Sequence, residues 1–173
     1  GYDGRNSAFV AWILEYLGRN DTHIMEIVYD EWKKQGRDVF YRPVPRTERK
    51  FTARINPSVR ASIEYVSQTD GLTLVDTRSF EEFQGQSDAD QIPGHIPGAI
   101  SVVWQSLVGQ DGKLVCEEDE ARRILQEAHI NNSNTVVTYC KVGARAAVGY
   151  QTLKRLGLDV KLFDGSYAEW EKS

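Results

Sequence analysis

The stretch Thr135-Val136-Val137-Thr138-Tyr139, then Cys140-Lys141-Val142-Gly143-Ala144-Arg145, then Ala146, Gly149, Tyr150, Leu153 and Leu156 decides how this chain folds. The first five residues are β-branched or aromatic with no charge among them, the pattern of a strand covered on both faces. The last five fall at i, i+3, i+4, i+7 and i+10, which predicts a helix burying one stripe. Gly157 follows where a helix end needs a residue tolerant of positive φ. Strand, short loop and helix make a βα unit. Upstream, the apolar run Leu72-Thr73-Leu74-Val75-Asp76, a helical stretch around 79–83, a second apolar run Ala99-Ile100-Ser101-Val102-Val103 and a helical pattern over 117–129 continue the alternation. The reading is α/β, an open parallel sheet with helices on both faces.

Part of this unit occurs twice. Tyr139-Cys140, Leu156-Gly157 and Tyr167-Ala168-Glu169-Trp170 match Tyr2-Asp3, Leu17-Gly18 and Tyr29-Asp30-Glu31-Trp32. The shared unit is about 31 residues, so Asp3 stands where the second copy has Cys140. The earlier copy is expected to form a helix burying Val10, Ile13, Leu14 and Leu17 against a sheet, then a short strand over 23–27. Trp32 and Trp170 are expected to pack into a core. Nothing precedes Tyr2 that could supply the upstream half. The expectation is therefore the end of one domain over 1–40, a Pro-containing extended linker over 41–58, and a complete domain over 59–173. The missing part of the first domain becomes an expected partner, and the chain is expected to be a piece of a longer protein.

With 40% apolar and 27% charged residues, the chain has the composition of an ordinary globular protein. The net charge of −4 is spread out and no basic stripe is present, which argues against nucleic acid as a partner. Apolar runs are strand-length, far short of the roughly 20 residues that cross a bilayer, so a membrane is not expected as a partner either. No leader-like segment is read at the start. Cys116 and Cys140 show no disulfide or zinc spacing, and His23, His95 and His129 are isolated. Free thiols in a reducing, cytoplasmic setting are expected, with no metal and no cofactor.

Cys140 carries the chemistry in this reading. It sits at the carboxyl end of a strand and the start of a helix, where open α/β sheets bind ligands. Successive N–H groups in such a loop make an anion-binding nest. An ordinary thiol is mostly protonated at neutral pH, and the thiolate is the nucleophile. A helix terminus supplies only about 0.3 to 1 kcal/mol, so the nest and the loop cations Lys141 and Arg145 are expected to add the rest. Gly143 permits backbone angles that a Cβ would resist.

The combination of Val75-Asp76-Thr77-Arg78, Gly94-His95-Ile96-Pro97-Gly98-Ala99-Ile100, the Cys140 loop, and Asp164-Gly165-Ser166-Tyr167-Ala168-Glu169-Trp170 resembles the rhodanese family. More closely, 60–173 resembles the catalytic C-terminal domain of tandem thiosulfate and 3-mercaptopyruvate sulfurtransferases. The first 40 residues resemble the end of their non-catalytic domain. The resemblance implies a persulfide on Cys140, a small-molecule sulfur donor such as thiosulfate, and a thiol or cyanide as acceptor. It implies that the backbone of Lys141, Val142, Gly143, Ala144 and Arg145 forms the binding loop. Asp76 and Arg78 would support it from below. The chain departs from that family at Glu82, where the tandem enzymes commonly have a donor-binding arginine. Val142 likewise replaces a usual second cation. A carboxylate at 82 is expected to repel an anionic donor, and Arg145 to supply the charge from the other side.

Two rivals belong to other classes. A cysteine-dependent phosphatase needs a larger loop and an arginine six residues after the cysteine, where this chain has Ala146. A non-catalytic binding module would have kept the fold alone; Glu82 favours it and the intact Cys140 loop opposes it. Cys116 is expected to be a partly buried spectator thiol, and His95 a loop-shaping residue.

Overall fold

β4 (Val136–Tyr139) lies at the centre of a sheet of five strands, with β1 (Arg60–Ala61), β2 (Thr73–Asp76), β3 (Ile100–Ser101) and β5 (Val160–Phe163) in the order β1-β5-β4-β2-β3. Every pair is parallel, and β2 aligns with β4 so that Asp76 faces Tyr139. The computed structural model describes residues 4–25, 27, 29–88, 90–109, 113–131 and 133–173. Asp3, the expected counterpart of Cys140, lies outside them. From β2 the chain steps outward to β3, and from β4 it steps the other way to β5. The crevice at the carboxyl ends of β2 and β4 is thus the topological switch point, the usual ligand position in such sheets.

Both faces of the sheet are covered, which is why its strands read as unbroken apolar runs. Along β4, Val136 enters one core cluster while Val137 and Tyr139 enter the other. On the first face lie α5 (Glu118–Glu127) and α6 (Ala144–Arg155), and on the second α3 (Ile63–Gln68) and α7 (Ser166–Trp170). α4 (Phe80–Phe83) starts on a reciprocal capping box between Ser79 and Glu82. Gly149 brings α6 against the sheet, since an added Cβ would meet Thr77 Cγ2 at 3.1 Å. No helix among the described residues is long and apolar enough to cross a membrane.

The N-terminal segment differs from its expected form. α1 (Arg5–Tyr16) and α6 end in the same way: Gly18 and Gly157 have φ of +88° and +82°. In both, the next N–H reaches back to a carbonyl five residues earlier, Arg19 to Leu14 and Leu158 to Leu153. The two helices therefore share one form of C-terminal cap. However, the fully buried face of α1 carries Ala8, Ala11 and Trp12, and of the Val10, Ile13, Leu14 and Leu17 stripe only Ile13 packs against the core cluster. Val10 is exposed, and with Leu14 it lines an open cavity of about 1130 Å³ whose other walls include Ile24, Met25, Tyr29 and Trp32. The reason is competition: α6 offers α1 a small-residue surface of Ala146 and Ala147 in the core, and among the described residues no second sheet lies on the other side. Glu15 and Lys154 form an ion pair across this contact.

Two more expectations fail here. Among the described residues of 23–27 there is no strand, because no sheet edge lies beside them to pair with. Trp32, which starts no core, sits on α2 (Tyr29–Lys34) with its Nε1 donating to the Asp38 carbonyl and Arg37 against its ring at 4.7 Å. Trp170 does pack against a core cluster. The deeply buried tryptophans are Trp12 and Trp104, at 3% and 8% exposure. Trp12 Nε1 donates to the Val59 carbonyl at 3.0 Å, so α1 is joined to the segment that leads into β1. Trp12→Ala is expected to lower the unfolding free energy by about 3–5 kcal/mol. Urea denaturation checks this, and a loss below about 0.5 kcal/mol, the size of an ordinary surface change, would show that α1 is not part of the core.

Candidate functional site

Cys140 is the first residue past β4, and the start of α7 holds it in place. Its N–H donates to Ser166 Oγ at 3.2 Å, and its carbonyl accepts from the Tyr167 N–H at 2.9 Å. The Lys141 carbonyl accepts from Ala168 N–H at 3.0 Å. Ser166 in turn donates from Oγ to the Phe163 carbonyl at 2.8 Å and has a φ of 54°, unusual for a residue with a side chain. That strain is confined to a fully buried serine whose hydroxyl bridges the ends of β4 and β5.

The Cys140 sulfur is 3.1 Å from the Gly143 nitrogen, which donates to it at the start of α6. Gly143 is required twice over. Its φ is +97°, and an added Cβ would lie 3.0 Å from Phe9 Cε2 and 3.3 Å from the Asp164 carbonyl oxygen. Phe9, on α1, thus closes over the loop. Cys140 itself is only 1% exposed, while Val142 stands out at the crest with 62% of its surface accessible. Ala144 opens α6 behind the loop, half-buried.

Both loop cations are matched by carboxylates. Arg145 makes a bidentate pair with Glu82, Nη1 to Oε2 at 2.6 Å and Nη2 to Oε1 at 2.8 Å. The Glu82 hydrogen bond is the main reason the Arg145 pKa is raised; burial opposes it, and the charge of neighbouring Cys140 adds to it. Burial pushes the Glu82 pKa up, yet hydrogen bonds from Arg145 and the Ser79 N–H, with the charges of Arg145 and Arg78, hold it down at about 2. Glu82 therefore does not stand as a bare repelling charge, and Arg145 is not left over to face a donor. Lys141 Nζ contacts Glu171 Oε1 at 2.6 Å. It also forms an ion pair with Asp90 Oδ1 at 2.8 Å.

Beneath the loop, Arg78 is fully buried. Its Nε and Nη2 donate to Asp76, Nη1 to Asp90 Oδ2 at 2.7 Å, and Nη2 to the Gly94 carbonyl at 2.7 Å. The guanidinium carbon stacks 4.0 Å from the Tyr167 ring centre. Asp76 and Arg78 are thus placed below the loop, without surface for a substrate to touch. Asp90, Glu171 and Ser166 were not singled out from the sequence. Asp90 sits in a polar run that reads as loop, and its partners are 12 and 51 positions away, so no local pattern marks it. Ser166 lay inside a quoted motif, but its backbone angle carries no compositional sign.

Cys116 is a buried free thiol, its pKa raised by burial. His95 stacks on Phe83 with ring centres 3.8 Å apart, and its Nδ1 is 2.9 Å from the Phe83 carbonyl oxygen, a contact that shapes the loop.

The sequence profile described as Rhodanese-like domain matches residues 63–173. A putative thiosulfate sulfurtransferase of Mycolicibacterium smegmatis is 30% identical over 184 aligned residues, covering 98% of this chain and 66% of the relative. The thiosulfate sulfurtransferase of Corynebacterium glutamicum is 32% identical over 180, covering 95% of this chain and 59% of its own length. The chain thus spans roughly two thirds or less of these relatives. Among solved structures, the anaerobic ergothioneine biosynthesis enzyme from Chlorobium limicola, solved with trimethyl histidine, is similar with a TM-score of 0.87. That likeness covers 98% of this chain and 44% of the other at 24% identity, and is one of fold.

The Glu82–Arg145 pair has a pH signature. A carboxyl held at about 2 in the fold, against its usual 4.5, contributes stability that is complete above about pH 4.5 and is lost as the pH falls toward 2. Glu82→Gln is expected to be less stable than the parent at neutral pH, with the gap closing through that acidic window. Urea melts of both proteins across the window measure it; a constant gap would show that the charge of Glu82 contributes nothing.

Proposed function

The chain belongs to the family of rhodanese-like domains, and from that premise we propose that it is a sulfurtransferase that carries sulfane sulfur as a persulfide on Cys140. The observation that carries the reading is the Cys140 sulfur at a strand end, 3.1 Å from the Gly143 N–H at the first turn of α6 and beside the Arg145 guanidinium. Such a donor stabilises a thiolate, and equally the outer sulfur anion of a persulfide that extends along the same nest. With thiosulfate, the Cys140 thiolate attacks the outer sulfur, a new S–S bond forms, the old one breaks, and sulfite leaves with the electron pair. A thiol or cyanide acceptor then takes the outer sulfur and returns Cys140 as thiolate.

Several features support this over phosphate chemistry. A cysteine with 1% of its surface exposed suits the approach of a narrow terminal sulfur. The guanidinium nearest to it already holds a carboxylate in both arms, which leaves no fork for a tetrahedral phosphoryl group. Curated relatives at about 30% identity are named thiosulfate sulfurtransferases, and 3-mercaptopyruvate remains the alternative donor. The partition into 1–40, 41–58 and 59–173 fits this reading, with the uncovered Val10 and Leu14 side of α1 as the face that the rest of a first domain would bury. Two free cysteines suit a reducing compartment such as the cytoplasm.

Incubation with thiosulfate followed by mass spectrometry is expected to place one added sulfur atom on Cys140, removable by cyanide and absent in Cys140→Ser. No addition from thiosulfate or 3-mercaptopyruvate would instead favour a non-catalytic module.

A further inference from the structure

We propose that Glu82 is a specificity-determining residue: it occupies the Arg145 fork in place of a substrate anion and selects persulfide donors R–S–SH whose R group carries no negative charge. The inference rests on the sulfur-transfer reading above and goes beyond it in naming the donor class. A guanidinium holding a carboxylate through both arms is arranged as it would be around the carboxylate or sulfonate of a bound donor. Here the chain supplies that anion itself, at 2.6 and 2.8 Å. The pair is tucked in, with side-chain exposures of 19% for Arg145 and 12% for Glu82.

Glu82 is not free to swing away without loss. Its Oε2 also accepts from the Ser79 N–H at 3.0 Å, and its own N–H donates to Ser79 Oγ at 3.2 Å. A competing anion must therefore break the bidentate pair and the capping box together. The remaining loop cation offers no substitute, because Lys141 lies between Asp90 and Glu171. Arg78, Lys141 and Arg145 are set against Asp76, Glu82, Asp90 and Glu171, three cations against four carboxylates. The Cys140 thiolate makes the balance more negative still. Thiosulfate brings two more negative charges to that place, whereas the hydropersulfide of an uncharged thiol brings none when protonated and one when ionised. Exposed Val142 at the crest presents an apolar surface to such a donor. The transfer balances: the Cys140 thiolate attacks the outer sulfur of R–S–SH, the S–S bond breaks, Cys140 becomes the hydropersulfide, and R–S⁻ leaves.

The test compares the parent, Glu82→Gln and Ser79→Ala, with thiosulfate and with 2-hydroxyethyl hydropersulfide as donors. Glu82→Gln keeps a cap and removes the charge, while Ser79→Ala weakens the cap and keeps the charge. Expected is a rise of about tenfold or more in kcat/KM for thiosulfate in Glu82→Gln, carried by KM, with a change below about threefold for the hydropersulfide. Added salt should help the parent with thiosulfate more than it helps Glu82→Gln, since it screens the repulsion. Ser79→Ala should melt earlier but keep the parent's donor preference. An unchanged or lower thiosulfate kcat/KM in a folded Glu82→Gln, or equal losses with both donors, overturns the inference while leaving sulfur transfer in place. Failure of every protein to load sulfur on Cys140 from either donor overturns the sulfur-transfer reading itself, and this inference with it.

Discussion

A guanidinium with no access to solvent, that of Arg78, is the interaction on which the site depends. It joins the end of β2 at Asp76, the following loop at Asp90 and Gly94, and the face of Tyr167 on α7. Through Asp90 it reaches Lys141, the residue after Cys140. A buried charge is costly to leave unpaired, and removing one partner of such a group commonly costs about 3–5 kcal/mol. The cluster therefore tolerates one arrangement of four chain segments that are far apart in sequence. The loop above it inherits that rigidity, because α7 also donates two backbone hydrogen bonds to Cys140 and Lys141.

The same economy of charge governs the loop. A reader of the sequence sees two cations flanking a cysteine and infers a positive pocket. In the fold each cation faces a carboxylate, and the cysteine sulfur is served by a backbone amide. A neutral dipole fixed in place stabilises a sulfur anion without inviting every anion in solution to bind. Positioning and charge are thus separated: Gly143 provides the first, and the Arg145–Glu82 pair modulates the second. Phe9 adds a third element, since it packs over the glycine whose N–H meets the sulfur.

α1 shows where local reading loses its grip. Its apolar residues fall on overlapping stripes, and spacing alone points to Val10, Ile13, Leu14 and Leu17, of which Ile13 does reach the core. The fold buries Ala8 and Ala11, which let α1 approach the small residues of α6, and Trp12, whose indole N–H reaches the Val59 carbonyl. Trp32 illustrates the same limit, for an aromatic on a helix reads as core until the surface beside it proves open. Asp90 and Glu171 carried no sign at all, as ion pairs spanning 51 and 30 positions leave no periodic trace.

What the sequence determined by itself was local: the strand before Cys140, the helix after it, the glycine between them, the glycine ends of α1 and α6, and hence a parallel α/β sheet with a cysteine at a strand end. These follow from side-chain period and backbone sterics, which act over a few residues. Tertiary structure alone decided which face of α1 is buried, that Ser166 and Tyr167 pin the loop, and that Glu82 fills the arms of Arg145. Those outcomes depend on distances between segments brought together only by folding, where Arg145, expected to face an anionic donor, found a carboxylate 63 positions away.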